Sequence, residues 1–272
     1  MLDKSPQTIR RLFDQIAPRY DLINHSLSLG LDFSWRRRSV ELVCNDLQNE
    51  LPGPILDVCC GTGDFAIAWH RKLASASCVE SDDLPSEASD SREVNSQCFQ
   101  DRSVVVGIDF SPKMLEIGRR KIRKFRAEKS IVLWQGDALD LPFENDTFAA
   151  VSVGFGLRNT IDPERGITEM VRVVRPGGTV AILDFDLPRF PLLGPMYRFY
   201  LTKILPGVGK WISRNQEGAY HYFSESVLQF AKGESLADKL RQAGLHEVSF
   251  KRMTSGVVSL YRGKKGKKEN QD

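Results

Sequence analysis

The chain has 272 residues, 41% of them hydrophobic, and a formal net charge of +3 from 38 basic and 35 acidic residues. This length and apolar content predict one domain with a large core. So small a net charge argues against the strongly basic surface of a nucleic-acid-binding protein.

Targeting signals and metal motifs are not evident in the sequence. No apolar run approaches the roughly twenty residues that span a bilayer, and the first residues lack the apolar stretch of a secretory signal, so we expect a cytoplasmic protein. The five cysteines form no Cys-x-x-Cys pair and have no histidine at zinc-ligand spacing. They predict no metal site and are typical of a reducing compartment.

Two helices are predicted before the first strand. Ser5 and Pro6 are typical of a helix start, and apolar residues then recur on one face until Pro18, which is expected to end the helix. A second helix is predicted to begin near Trp35. Residues 1–50 are interpreted as a helical cap, which either covers the mouth of a site as a lid or only packs on the sheet.

A glycine turn at residues 61–63 organises the rest of the chain. The apolar run 55–60 breaks at Gly61-Thr62-Gly63 and passes into a helical pattern. Strand, turn and helix together are the opening unit of a nucleotide-binding α/β sheet. Glycine lacks a Cβ, so a ligand's ribose can approach the main chain there. A single Gly-x-Gly is a weak signal, and the assignment depends on the residues around it.

Acidic residues follow the next two predicted strands. Asp109 ends the run 104–108, and Asp137 with Ala138 follows the run 131–134. Without the inserted segment that separates the two, Asp109 lies about twenty residues beyond the glycine turn, where an acid that accepts both ribose hydroxyls is expected. Asp137 is predicted to accept the adenine amino hydrogens, and Ala138 to offer its amide. With Asp57, which precedes the turn, they predict three acids along one rim of the sheet.

One domain is predicted over residues 51–263. One segment inside it and one after it differ from it in composition. Residues 74–102 are rich in serine and acidic side chains with little apolar periodicity, which predicts a surface insertion. Residues 264–272 are rich in lysine, which predicts a basic disordered tail. The tail and the arginines after Trp35 also fit attraction to anionic lipid, so a non-catalytic lipid-surface module stays open.

Two cofactors fit the glycine turn. The residues from Gly61 to Ala66 match the Gly-x-Gly-x-x-Ala variant of a nicotinamide-binding fingerprint, so an NAD-dependent oxidoreductase is an alternative. Such an enzyme normally has a catalytic constellation beyond the sheet, and the chain after the fifth strand is short. The acids around the turn instead favour a cofactor with one nucleoside and a short charged arm, such as S-adenosylmethionine.

The residues 56–64, Leu-Asp-Val-Cys-Cys-Gly-Thr-Gly-Asp, resemble the first motif of the class I methyltransferases. Further stretches resemble one family in that class, the quinone C-methyltransferases of menaquinone and ubiquinone biosynthesis. The most discriminating is Gly-Phe-Gly-Leu-Arg-Asn at residues 154–159, and the others are residues 20–24, 140–143, 169–178 and 220–226. The resemblance covers nearly the whole chain, although the insertion and the lysine-rich tail are unusual for the family.

The resemblance implies an α/β, Rossmann-like class I methyltransferase fold with an N-terminal helical lid. Its seven-stranded, mostly parallel sheet would have the order 3-2-1-4-5-7-6, with the last strand antiparallel and helices on both faces. Together with the glycine turn, it implies that S-adenosylmethionine is bound by Gly61, Thr62, Gly63, Asp109, Asp137 and Ala138.

The reaction that the resemblance implies is methyl transfer to a ring carbon of a polyprenylated quinol. Demethylmenaquinol is favoured, and a 2-polyprenyl-6-methoxy-benzoquinol is the alternative. Arg158 is always charged, so it is predicted to stabilise the quinolate oxygen or to orient a water. Tyr220 and Tyr222 are predicted to hold the ring, with a phenol or His221 as proton relay, unless they are ordinary packing residues. A peripheral contact at the inner face of a membrane and a homodimer are left open.

Overall fold

The computed structural model describes residues 4–47, 53–76, 104–188, 191, 193–199, 202 and 217–267. The predicted insertion lies outside the described residues from position 77 onward. Its first three residues, 74–76, belong to a helix, so the boundary predicted at residue 74 is too early.

Helices and strands alternate through most of the described chain, as expected for an α/β protein. The strands are β1 Ile55–Val58, β2 Val105–Asp109, β3 Ile131–Gln135, β4 Phe148–Gly154, β5 Val174–Phe185, β6 Leu245–Met253 and β7 Val258–Lys265. The α-helices are α1 Pro6–Leu27, α2 Leu31–Asp46, α3 Asp64–Ala76, α4 Pro112–Lys124, α5 Pro163–Val173, α6 Leu193–Phe199, α7 Glu217–Gln229 and α8 Glu234–Gln242.

The described strands form one sheet in the order β3-β2-β1-β4-β5-β7-β6. Strands β1 to β5 pair in parallel, and β7 pairs antiparallel with both β5 and β6. The predicted fold, strand order and antiparallel last strand are therefore confirmed. In this order the carboxyl ends of β3, β2, β1 and β4 are neighbours, so the loops that follow them meet at one edge.

Each face of the sheet carries its own apolar cluster. Side chains of α2, α3 and α4, including Val43, Trp69 and Leu115, cover one face, and those of α5 and α8, including Met170 and Leu240, cover the other. Strand β1 is buried on both faces, as is typical of a parallel strand between helical layers. The site at its carboxyl end therefore stands on a rigid base.

Helix α1 is longer than the sequence predicts. It begins at Pro6, as expected, but continues through Pro18 to Leu27, so the prediction that Pro18 ends it is wrong. Proline inside a helix removes one hydrogen bond and costs about 3 kcal/mol. Contacts of α1 with the sheet on both sides of Pro18 offset this cost: Ser111 Oγ donates to Asp14 Oδ1 at 2.6 Å, and Thr62 Oγ1 donates to Asp21 Oδ1 at 2.6 Å.

The basic tail begins later than predicted. Strand β7 extends to Lys265, so Lys264 and Lys265 lie in the sheet, and the boundary at residue 263 is wrong by two residues. The Lys265 ammonium donates to Asp146 Oδ1 at 2.7 Å and to the Val171 carbonyl at 2.7 Å. These acceptors anchor the strand end, which composition alone does not reveal. Of the helices within the described residues, none combines the length and apolar character needed to cross a membrane.

Candidate active site

The loops after β1, β2, β3 and β4 border one open cavity. Its empty volume is about 870 Å³, with open solvent at the mouth included. The cavity touches four of the six residues predicted to bind the cofactor, namely Gly61, Asp109, Asp137 and Ala138.

Asp109 and Gly61 are held together across the edge of the sheet. The Gly61 amide donates to Asp109 Oδ2 at 2.8 Å, and the Ser111 amide donates to Oδ1 at 2.9 Å. Gly61 has φ 55°, a left-handed conformation that glycine adopts without strain. Burial raises the pKa of the Asp109 carboxyl, and the hydrogen bonds from the amides act in the opposite direction. The two amides fix the carboxylate while each oxygen keeps a lone pair for a ligand.

Asp137 and Ala138 lie in the wall of the same cavity. The Leu139 amide donates to Asp137 Oδ1 at 2.9 Å, which orients an otherwise exposed carboxylate. Ala138 is 7% exposed and lies in the same wall. Apolar groups of Ile108, Met114 and Leu139 complete this end of the cavity, which suits a flat aromatic base with a polar edge.

The other two residues of the glycine turn, and Asp57 before it, do not border the cavity. Thr62 is 2% exposed, and its hydroxyl donates to Asp21 and accepts from Lys121 Nζ at 3.0 Å. Gly63, with φ 82°, continues the turn into α3. Asp57 is 1% exposed inside β1, where its carboxyl group accepts a hydrogen bond from the Ala66 amide, so the prediction of three acids along one rim is wrong for Asp57. Alternation along β1 places Asp57 on the same face as Ile55, toward α3.

A second, more apolar cavity shares a wall with the first. It lies between α1, α2, α7 and the loop after β4, with an empty volume of about 820 Å³. Four residues line both cavities: Phe13, Tyr20, Phe155 and Asn159. A ligand in one cavity is therefore adjacent to a ligand in the other.

Arg158 lies in the wall of the second cavity. Its Nη1 donates to Asp184 Oδ1 at 2.8 Å and to the Phe155 carbonyl at 2.6 Å, while its Nε is buried without a hydrogen-bond partner among the described residues. The guanidinium carbon lies 5.2 Å from the ring centre of Phe185 and 5.3 Å from that of Phe223. Burial raises the pKa of the Asp184 carboxyl, and the charge of Arg158 opposes this shift. Arg158 is thus held by an ion pair and still has a donor free.

Tyr222 presents a second free donor in the same cavity. It is 7% exposed, and its hydroxyl has no partner among the described residues. Burial raises the pKa of the Tyr222 phenol to about 12, although the nearby charge of Arg158 acts in the opposite direction. At neutral pH this phenol donates a hydrogen bond and is too weakly acidic for an efficient proton relay. Tyr220 and His221 belong to α7, but their side chains lie outside the described residues.

The loop between the cavities is held in a strained conformation. Phe155 has φ 62°, which is rare for an aromatic residue, and its ring lies 4.7 Å from that of Phe185. Glycine is required beside it because a Cβ on Gly156 would lie 2.3 Å from Cys59 Cβ. Strain of this kind is found where a site needs a fixed backbone. The sequence indicated this loop as a motif but not its shape.

Sequence reasoning missed Tyr20, Asn159 and a polar cluster between α1 and the start of α3. Tyr20 and Asn159 belong to motifs that the resemblance identified, and their place in the shared wall became visible only in the fold. In the cluster, ligand atoms of Asp21, His25 and Asp64 lie within 4.8 Å of one another, an arrangement that can hold a metal ion. Lys121 Nζ already lies 2.6 Å from Asp21 Oδ2 and 2.7 Å from Asp64 Oδ1, so an ammonium neutralises both carboxylates.

The first cavity fits a nucleoside cofactor. Asp109 offers two acceptor oxygens held by backbone amides, and Asp137 with Ala138 offers a polar edge beside apolar walls. This geometry and the sheet order are those expected of an α/β methyltransferase that uses S-adenosylmethionine.

Comparisons with known proteins identify the family. The ubiE/COQ5 methyltransferase family matches residues 1–265, and the chain belongs to it. A ubiquinone/menaquinone biosynthesis C-methyltransferase UbiE of Geobacter sp. (strain M21) is 36% identical over 97% of this chain and 99% of its own length. A demethylmenaquinone methyltransferase of Deinococcus radiodurans is 37% identical over 95% of this chain and 93% of its own length.

Solved structures agree on the fold. An S-adenosylmethionine-dependent methyltransferase from Thermotoga maritima has a TM-score of 0.59 at 18% identity, covering 94% of this chain and 99% of the other. Another from Methanococcus maripaludis has a TM-score of 0.53 at 16% identity, covering 99% of this chain and 97% of the other. The family and the fold decide between the two cofactors in favour of S-adenosylmethionine.

Proposed function

We propose that this enzyme transfers the methyl group of S-adenosylmethionine to a ring carbon of a polyprenylated quinol. The observation that carries the proposal is the second cavity, which is aromatic, shares a wall with the cofactor cavity and contains two free donors, Arg158 Nε and the Tyr222 hydroxyl. Demethylmenaquinol is the favoured substrate because several relatives are named demethylmenaquinone methyltransferases. A methoxy-benzoquinol is the alternative, since other relatives are named for both quinone pathways.

In this proposal each residue group has one task. Asp109, Asp137 and Ala138 would hold the adenosyl part of the cofactor, with Gly61, Thr62 and Gly63 shaping the turn beside it. The bound cofactor supplies an activated sulfonium methyl group. The chain's main task is then to align the acceptor carbon with that methyl group and to exclude water.

Arg158 and Tyr222 are assigned to the quinol oxygen. The oxygen gains negative charge as the ring carbon becomes nucleophilic, and a fixed guanidinium with a phenol donor stabilises that charge in an apolar cavity. Arg158 cannot serve as an ordinary base, and a phenol with a pKa of about 12 is a poor one at neutral pH.

Tyr220 stays a predicted contact of the ring. A peripheral membrane contact and a homodimer also stay predictions, and light scattering of the purified chain tests the second.

The test is incubation with S-adenosylmethionine carrying a labelled methyl group and with each reduced quinol in turn, followed by mass analysis of the product. We expect labelled methyl on a ring carbon of the naphthoquinol. The control is Asp109→Ala, which is expected to abolish cofactor binding by calorimetry and with it all product. Cofactor binding by the wild-type chain without product from either quinol would refute the proposed substrate class.

A further inference from the structure

The turn between α1 and α2 exposes an unusual run of large apolar side chains. Leu29 is 86% exposed, Phe33 is 50% exposed and Leu31 is 40% exposed. Leu29 also has φ 53°, a conformation that leucine disfavours. Neither burial nor backbone preference explains a leucine in this place, and such outliers point to a function.

Helix α6 carries further exposed apolar side chains and packs into the same small apolar cluster as α1. Its Tyr197 packs against Val227 of α7, as Ile23 and Leu27 of α1 also do, while Met196 is 64% exposed and Phe199 is 58% exposed. Leu22 on α1 is 68% exposed. We call these exposed side chains the apolar rim: Leu22, Leu29, Leu31, Phe33, Met196 and Phe199.

Basic side chains flank the rim. Gly30 and Phe33 border an open surface groove that is also lined by Arg37 and Arg71. The Arg37 side chain is 76% exposed, and Arg38 and Arg71 are exposed as well. Apolar side chains next to arginines match the interface of an anionic bilayer, where the chains enter the acyl region and the arginines meet lipid phosphates. Glu41, which also lines the groove, is paired with Arg37.

The rim is continuous with the second cavity. Leu27, Ser28 and Asp32, which belong to the same turn or directly flank it, line that cavity, whereas Leu29 and Phe33 do not. The turn therefore has one side toward the ring-binding cavity and the other toward solvent. A quinol with a long polyprenyl tail is dissolved in a membrane, so its ring must leave the bilayer near the mouth of this cavity.

We propose that the apolar rim docks the enzyme on an anionic phospholipid bilayer and that the quinol passes from the bilayer into the second cavity beside the α1–α2 turn. This inference rests on the proposed function for the substrate, but the docking itself can be measured without it. The rim residues enter the acyl region, and the flanking arginines set the preference for anionic lipid.

The first measurement is cosedimentation with vesicles of phosphatidylglycerol and phosphatidylcholine, compared with phosphatidylcholine alone. We expect the full chain to prefer the anionic vesicles, and Leu29→Ser/Phe33→Ser to lower its partition coefficient about tenfold or more. Arg37→Glu should lower it severalfold, and Arg120→Glu is the matched control. Arg120 forms the same ion pair on α4, with a glutamate four residues away at 3.8 Å, as Arg37 does on α2. Equal partition of the wild type and the double variant would overturn the proposal.

The second measurement separates docking from chemistry. We expect the double variant to methylate a tail-less, water-soluble quinol at the wild-type rate and a long-tailed quinol in vesicles about tenfold more slowly. Equal rates on the vesicle substrate would overturn the proposal. If the rim instead joins two copies of the chain, light scattering will show a wild-type dimer and a monomeric variant with unchanged vesicle binding, which also overturns it. If the wild type methylates neither quinol, the proposed function fails while vesicle partition still decides the docking.

Discussion

Arg158 has a structural role beside the one proposed for it in the reaction. Its ion pair with Asp184 and its bond to the Phe155 carbonyl fix the loop that separates the two cavities. Its Nε has no partner among the described residues, and the proposed function assigns it to the substrate. Removing one partner of a buried pair leaves an uncompensated charge and costs about 3 to 5 kcal/mol. A simple alanine variant therefore confuses loss of stability with loss of chemistry.

The prediction at this scale uses two variants. Arg158→Lys keeps a charge but loses the planar donor set, and we expect kcat to fall about 100-fold while cofactor affinity changes little. Arg158→Met/Asp184→Asn removes both charges, so we expect it to be as stable as the wild type and still inactive. Urea unfolding, calorimetry with the cofactor and steady-state kinetics measure these effects. If the double variant regains activity, Arg158 serves only to hold the loop.

Among the elements, α1 decides how the site is covered. It lines both cavities and is fastened to the loops at the sheet edge at two places, where Ser111 bonds Asp14 and where Thr62 with Lys121 bonds Asp21. Just before the helix, Lys4 Nζ donates to the Arg158 carbonyl at 2.6 Å. The bond between Thr62 and Asp21 joins α1 to the glycine turn itself. Thr62 therefore supports the first cavity from outside, by holding α1 to the turn.

We expect Lys121→Met to weaken this fastening and to raise the dissociation rate of S-adenosylmethionine about tenfold. The Lys121 ammonium bonds Asp21, Asp64 and Thr62, and charged hydrogen bonds contribute about 1.5 to 3 kcal/mol each. Stopped-flow measurement of cofactor release tests this prediction. Lys124→Met, an exposed position on the same helix, is the control, and Lys121→Arg should restore part of the effect. An unchanged release rate in Lys121→Met would show that α1 is held by its apolar contacts.

For the whole molecule, the buried acid of the central strand couples stability to pH. Burial raises the pKa of Asp57 to about 8, far above its ordinary value of 3.8. At a pH between these two pKa values, Asp57 keeps its proton in the folded chain and releases it in the unfolded chain. Stability is therefore highest below the unfolded pKa and falls as pH rises toward 8, with a slope of up to about 1.4 kcal/mol per pH unit.

Asp57→Asn should flatten this dependence, because asparagine is neutral at every pH and close in shape to the protonated acid. We expect the variant to gain stability relative to the wild type as pH rises from 5 to 8, measured by urea unfolding at each pH. Burial also raises the pKa of Asp109 and Asp184, so part of the slope should persist in the variant. Asp140→Asn, at an exposed position, is the control. A difference between variant and wild type that does not change with pH would contradict the prediction.

Much of the fold and part of the site can be predicted from local patterns in the sequence. The alternation of apolar strands with amphipathic helices, the glycine turn at 61–63 and the acid that ends β2 are local features, and they predicted the α/β class and the place of Asp109. The order of all seven strands came from the family resemblance, and the structure confirms it. These features can be predicted because the repeat of a strand or helix and the geometry of a turn depend on residues that are close in sequence.

Only the tertiary structure decided which side chains face the site. Thr62 pairs with Asp21 from 41 positions away, and Arg158 pairs with Asp184 across 26 positions. The buried face taken by Asp57 and the passage of α1 through Pro18 likewise depend on the helices packed around them. Spacing along the chain does not encode such pairs, because their energies arise only when the assembled core excludes water and fixes both partners.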